Sequence, residues 1–271
     1  MGPSLDWKIP SEAVGTLFVR EWPNDKATWT ALLAHGYGEH IGRYGHVAEA
    51  LRSAGAAVVG PDHQGHGRSD GERATIIDFE TVVSDLHDAA IRMTAKYSGL
   101  PTVLIGHSMG GMIAARYAQR YGSELAALVL SGPMFGSRAV LEQLLAMDPI
   151  PDIPLDPATL SRDPAVGHAY ADDPLVWHGP FKAPTLRAML RMMDTIKAAS
   201  APGDLPMLWL HGAMDPLVPM AETRPMMQHL RGRHYEEKIY AGAMHEVFNE
   251  TNKNETIADV IDFVRRHLLA K

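Results

Sequence analysis

The chain has no cysteine among its 271 residues, which excludes disulfides, thiolate nucleophiles and cysteine-based zinc or iron–sulfur sites. It has no uninterrupted apolar run long enough to span a bilayer. Its first residues, MGPSLDWKIPSEAVG, lack the basic-then-apolar order of a secretion signal, so a cytosolic protein is expected. No dense Lys/Arg run occurs and the formal net charge is −7, which argues against nucleic acid as a partner and does not favour acidic substrates. Internal repeats and low-complexity tracts are also missing. What is present, 46% apolar and 21% charged residues, is the composition of a globular protein with a large core. The length suits one domain, or a core domain carrying an insertion.

Short apolar runs alternate with longer periodic segments. The runs are VGTLFV (14–19), WTALLAHG (29–36), AAVVGPD (56–62), PTVLIGHS (101–108), LAALVLSG (125–132), PMLWLHG (206–212) and YEEKIYAG (235–242). Between them, Phe79, Val82, Val83, Leu86, Ala90 and Met93 share one helical face, as do Ile257, Val260, Ile261, Val264 and Leu268. Alternating strands and helices of this kind predict an α/β fold with a mostly parallel sheet covered on both faces. Functional polar groups in such sheets collect at the carboxyl ends of the strands.

The rhythm breaks in a proline-rich stretch that includes Pro149, Pro151, Pro154, Pro157, Pro164 and Pro180. It reads as an inserted helical cap over 134–204, interrupting a core formed by 1–133 and 205–271. Within it Leu186, Met189, Leu190 and Met193 follow helical spacing, and Val140, Leu141, Leu144, Leu145 and Met147 form a second short apolar helix. Such a stripe is more often plain core than a ligand wall.

Gly106-His107-Ser108-Met109-Gly110 matches G-x-S-x-G between the apolar strand Val103–Ile105 and the helical segment that begins near Met112. In that setting a sharp strand-to-helix turn lifts the serine above the sheet edge. The alternative is a glycine-rich turn whose serine caps the helix. A serine hydroxyl needs a base to take its proton and an acid to orient the base. Asp215 lies in the loop after PMLWLHG, and His245 follows the strand ending at Tyr240; the order Ser108, Asp215, His245 is that of this kind of elbow. His245 is the only histidine in a post-strand loop after Asp215, whereas the rival Asp204 precedes its strand and would sit at the opposite sheet edge.

Acyl transfer also needs donors for the oxyanion. The backbone N–H groups of Met109 and Tyr37 are assigned, the latter in the glycine-rich His35-Gly36-Tyr37-Gly38-Glu39-His40 after the strand Leu32–Ala34. His35 reads as a hydrogen-bonding brace of that loop. The cluster Asp62, His63 and His66 has spacing that permits a metal, but no second ligand group completes a site, and a structured loop is the better account.

Together these blocks resemble the α/β-hydrolase superfamily, and within it the monoacylglycerol lipases and lysophospholipase-like enzymes. The similar stretches include HGYGEHIGRY (35–44), PDHQGHGRSDGER (61–73), IGHSMGG (105–111), LSRDP (160–164), LHGAMDPLVP (210–219) and YAGAMHEVFNE (240–250). The resemblance implies a cofactor-free serine ester hydrolase whose cap closes over a single acyl chain, with Ser108, Asp215 and His245 as the triad and the Tyr37 and Met109 amides as the oxyanion hole. Glu39 and Arg43 look like polar groups near the alcohol end of the substrate; an internal salt bridge holding the loop is the other reading. Leu144, Met189, Met193 and Val218 are expected to touch the substrate, and an apolar cap could also rest on a membrane or micelle. The expected reaction is cleavage of a monoacylglycerol to fatty acid and glycerol. A lysophospholipase or general carboxylesterase with the same triad is the alternative within the fold, and a non-catalytic ligand-binding protein the alternative outside it.

Overall fold

The computed structural model describes residues 2–153 and 155–268, so Pro154 of the insertion lies outside them. One sheet holds eight strands: β1 (Leu5–Ser11), β2 (Gly15–Trp22), β3 (Trp29–Ala34), β4 (Ala56–Pro61), β5 (Thr102–His107), β6 (Ala127–Ser131), β7 (Met207–Gly212) and β8 (Tyr235–Tyr240). Their spatial order is β1-β2-β4-β3-β5-β6-β7-β8. The first two pairings, β1 with β2 and β2 with β4, are antiparallel, and every later one is parallel. All seven apolar runs read from the sequence are strands; β1 is an additional one.

The central strands are buried on both faces, and alternate residues supply two cores. Leu32, Leu104, Leu128 and Leu130 face the core formed with helices α2 (Phe79–Lys96), α3 (Met109–Tyr121) and α6 (Ala183–Ala198). Leu33, Val103, Ile105 and Val129 face the other, under α1 (Gly45–Ser53) and α8 (Lys253–Leu268). The Asp78 side chain caps α2 by accepting from the Glu80 amide at 2.9 Å, and all six apolar residues read onto one face of that helix are buried. The remaining core helix, α7 (Met220–Leu230), follows β7.

Between β6 and β7 lie α4 (Arg138–Leu145), a single turn at Pro157–Thr159, α5 (Pro164–Asp172) and α6. Proline starts α5 without loss, because its missing N–H falls in the first turn, and the Asp163 side chain takes the Ala165 amide at 3.0 Å. These elements divide by what they cover. Helix α6 buries Leu186, Met189 and Met193 in the core shared with α2 and α3, whereas described residues of α4 and α5, among them Leu141, Leu144 and Tyr170, line a cavity with Ser108 at the carboxyl end of β5. No helix of the described residues is long and apolar enough to cross a membrane.

Candidate active site

Ser108 occupies the step from β5 to α3 with φ 54° and ψ −118°, one of two non-glycine residues at positive φ among those described. Such a conformation is costly for an L-residue and persists only where the surroundings impose it. Here they do: the Ser108 amide donates to the Ser131 carbonyl at 2.9 Å, and the Ser108 carbonyl accepts from Gly111 at 2.9 Å and Met134 at 3.0 Å. The flanking glycines are required by contact. A Cβ on Gly106 would sit 2.3 Å from the Gly110 carbonyl oxygen, and one on Gly110 would sit 2.1 Å from that of Ala34. The serine side chain makes no hydrogen bond that caps α3, so the helix-cap reading of Ser108 is not what the geometry displays.

Asp215 and His245 come from the loops after β7 and β8. His245 Nδ1–H donates to Asp215 Oδ2 at 2.7 Å, and Asp215 Oδ1 accepts the Leu217 and Val218 amides, both at 2.9 Å. Burial pushes the Asp215 carboxyl up, but the His245 charge and the bonds from His211, His245 and Val218 outweigh it and hold the carboxyl well below the usual carboxylate range. For His245 the balance is the reverse in kind: burial pushes the imidazole down, and the charge and hydrogen bond of Asp215 bring it above its ordinary value. Ser108 and His245 line one cavity. Among the described residues no hydrogen bond joins Ser108 Oγ to His245 Nε2; such contacts often tighten only with substrate bound.

The loop after β3 closes on the serine. A Cβ on Gly36 would lie 3.3 Å from Ser108 Cβ. His35 Nδ1–H donates to the Gly36 carbonyl at 2.8 Å, and its Nε2 accepts the His63 amide at 2.9 Å, which sets the tautomer; burial holds the ring well below its ordinary pKa and neutral. Because the Gly36–Tyr37 peptide is trans, holding its carbonyl on one side aims the Tyr37 N–H to the other. Among the described residues neither the Tyr37 nor the Met109 amide has an acceptor. His35 is thus a brace of the loop. Asp62 is another, accepting the Ile41 amide at 2.7 Å and the Arg68 amide at 2.8 Å, so the carboxylate of the suspected metal cluster serves the backbone.

Glu39 and Arg43 form the internal salt bridge. Arg43 Nη1 donates to Glu39 Oε2 at 2.7 Å, while Glu39 Oε1 accepts the Gly36 amide at 2.6 Å and the Tyr44 hydroxyl at 2.7 Å. Glu39 still lines the cavity; Arg43 stands behind it.

The cavity measures about 580 Å³. Its walls come from α4 and the cap loops, including Leu141, Leu144, Leu155, Trp177 and Phe181, and from Val218 beside Asp215. Leu144 and Val218, two of the four residues expected at the substrate, line the cavity. Met189 and Met193 do not: they are 0% and 3% exposed, face α2 and α3, and line no part of the cavity. Helical spacing identifies a buried face without saying which partner buries it.

Residues the sequence did not single out complete the site. The Trp177 amide donates to the Gly38 carbonyl at 2.7 Å, and Phe181 stacks on Tyr37 with centroids 5.0 Å apart, so the segment between α5 and α6 leans on the loop after β3. Glu250, fully buried, accepts the Met244 amide at 2.7 Å and the Arg162 guanidinium at 2.9 Å, tying the cap to the residue before His245. His107 tilts against His245 at 4.8 Å and is pushed down to about 4, chiefly by burial. Apart from the Glu250–Met244 bond, these links run between segments far apart in the chain, so no local signal carries them.

Comparison with known proteins agrees with this architecture. The family described as serine aminopeptidase, S33, matches residues 25–252. A monoacylglycerol lipase of Mycolicibacterium smegmatis is 37% identical over 91% of this chain and 91% of its own. The human monoglyceride lipase is 32% identical over 86% of this chain and 81% of its own. Among solved structures, the monoacylglycerol lipase of Paleococcus ferrophilus superposes with a TM-score of 0.78 at 27% identity, covering 93% of this chain and 99% of that one. The chain belongs to the serine aminopeptidase S33 family of α/β-hydrolases, with monoacylglycerol lipases among its relatives.

Proposed function

We propose that the protein hydrolyses monoacylglycerols to fatty acid and glycerol, with Ser108 as nucleophile, His245 as general base and acid, and Asp215 as the group that orients it. The observation that carries this reading is the strained Ser108 at the floor of an apolar cavity of about 580 Å³ that also holds the His245–Asp215 pair. Ser108 Oγ attacks the ester carbonyl as His245 Nε2 takes its proton, and the Tyr37 and Met109 amides bind the oxyanion. The imidazolium, stabilised by Asp215, returns that proton to the glycerol oxygen as the carbon–oxygen bond breaks. Water then attacks the acyl-enzyme, its proton passing through His245 to Ser108 Oγ, and the acid leaves.

Two features of the cavity support a neutral alcohol and a long acyl chain. Its described lining includes the carboxylates of Glu39, Asp156 and Glu246 and neither lysine nor arginine, and the one nearby guanidinium, Arg43, is taken up by Glu39 and Glu246, so no cation of the lining meets a phosphate-bearing head group. The walls from α4 and the cap loops are apolar, which suits an acyl chain better than the polar backbone of a peptide named in the family's description. Val140, Met147 and Ile153, exposed on the cap, are where a transient contact with a micelle or bilayer would fall. The test is a rate comparison on 1-oleoylglycerol, oleoyl lysophosphatidylcholine and oleoyl glycerophosphate, with Ser108→Ala as control. The glycerol ester should be best and the Ser108→Ala protein inactive yet folded. A preference for either phosphate ester, or activity retained without Ser108, would end the reading.

A further inference from the structure

Three stretches that hydrolysis needs in register meet at one cation. Arg43 lies behind the cavity with its side chain 10% exposed and a carboxylate on either side. Its Nη1 donates to Glu39 Oε2 at 2.7 Å and to Glu246 Oε1 at 2.6 Å, and its Nη2 to Glu246 Oε2 at 2.8 Å. Glu39 in turn holds the Gly36 amide, one peptide before the Tyr37 N–H. Glu246 follows His245 directly in the chain, and its amide donates to Leu160 of the cap at 2.8 Å. The face of the guanidinium carries the Tyr170 ring of α5 at 5.1 Å.

We propose that Arg43 is a positioning residue: it holds the oxyanion loop and the base loop at a fixed separation, and the cap seats on it through Tyr170. This rests on the triad reading above. A planar fork gripping one carboxylate with two parallel bonds while a third reaches a second carboxylate fixes direction as well as distance, which the rotatable ammonium of lysine cannot reproduce. The separation matters because the donors must meet the oxyanion while Nε2 meets the serine, and a shift of about 1 Å in such a constellation can cost on the order of 10²-fold in rate.

The arrangement has an electrostatic side too. Arg43 faces Glu39, Glu246, Tyr44 and Tyr170, and its charge also reaches His35, His46 and Asp173. His245 is faced by Asp215, Glu246, Glu39 and His107, with His211 Nε2 3.4 Å from Asp215 Oδ2, the oxygen that also takes the His245 proton. Glu246 and Glu39 both favour the imidazolium. The Arg43 charge offsets them, so its removal leaves two uncompensated carboxylates beside the base.

Geometry and charge are separated by two variants, assayed on 1-oleoylglycerol with rates normalised to sites titrated by a fluorophosphonate. Arg43→Lys keeps the charge and loses the fork: kcat should fall about 10- to 100-fold with KM within about twofold and the acid limb of the pH profile unmoved. Arg43→Gln loses both, so the same fall should come with an acid limb displaced to higher pH, and adding Glu246→Gln should bring the limb back. If Arg43→Lys keeps the parent kcat per titrated site and loses only thermal stability, Arg43 is a structural salt bridge and the proposal is overturned, whether or not Arg43→Gln folds. Failure of the parent protein to label at Ser108 would instead remove the triad reading, and this proposal with it.

Discussion

Replacing Asp215 with asparagine tests whether the carboxylate acts by fixing the His245 tautomer. The substitution keeps size and shape, and the surroundings decide how the new amide turns. Oδ1 of Asp215 accepts the Leu217 and Val218 amides at 2.9 Å each, and Oδ2 accepts His245 Nδ1–H. An asparagine that keeps its oxygen toward the two backbone amides must present its NH₂ to His245. The imidazole then has to accept at Nδ1 and carry its proton on Nε2, where it cannot take the serine proton. The opposite rotamer would restore the histidine bond but point NH₂ at two N–H donors, each unsatisfied donor costing about 1–3 kcal/mol, so about 2–6 kcal/mol in all. At tenfold per 1.4 kcal/mol, the competent rotamer holds at most about 4% of the population. His211 tempers this preference: Trp209 donates to its Nδ1 at 3.1 Å and its Nε2–H donates to Val218 at 2.8 Å, so that Nε2–H, 3.4 Å from Oδ2, faces the new NH₂ as a second donor, and the weaker end of the range sets the bound. The expected loss in kcat is therefore at least about 30-fold, approaching the roughly 10⁴-fold seen where the wrong tautomer is enforced. The assay is kcat on 1-oleoylglycerol per protein shown folded by near-ultraviolet circular dichroism. Retention of more than about a tenth of the parent kcat would refute the tautomer argument, since the bound on the competent rotamer forbids it.

Other consequences follow from the same contacts. Because Asp215 lifts His245 above the ordinary imidazole value and the base works only when neutral, kcat/KM of the parent should rise with pH through an inflection above about 6.5; an inflection below that value would contradict the pairing. Asp85, bonded to Ser11 Oγ at 3.0 Å, is raised to about 6, mainly by burial, so the folded state binds the proton more tightly than the unfolded chain and stability falls as pH rises from about 4 to about 6. Asp85→Asn should accordingly raise the Tm at pH 7 and leave it nearly unchanged at pH 4, as calorimetry would show. Leu144→Trp, on the wall built by α4, should shift the acyl preference toward shorter chains with little change in kcat on the best substrate; an unaltered chain-length profile would place the acyl group elsewhere.

Much of the site was legible because its chemistry is local. Strand–turn–helix patterning, glycines two positions either side of Ser108 and post-strand loops carrying Asp215 and His245 are all short-range features, and each residue sits where those features place it. Other elements escaped for physical reasons. Strand β1, at the sheet margin, alternates Leu5, Trp7 and Ile9 with polar positions but offers only three apolar residues and ends on Pro10-Ser11, which reads as a turn rather than a strand. Helix α7 contains Pro225, which reads as a breaker.

The sequence by itself determined the fold class, seven of the eight strands, and the post-strand positions of the three residues proposed for the chemistry, because these depend on period, turn residues and spacing within a few positions. Only the tertiary structure decided which apolar faces meet the substrate and which meet the core: Leu144 reaches the cavity, while Met189 and Met193, with the same helical spacing, fill the layer beneath it. It also decided that Glu39, Arg43 and Glu246 are one cluster, since Arg43 and Glu246 stand 203 positions apart in sequence and 2.6 Å apart in space. Periodicity reports that a side chain is buried, but which partner buries it is set by how distant elements pack.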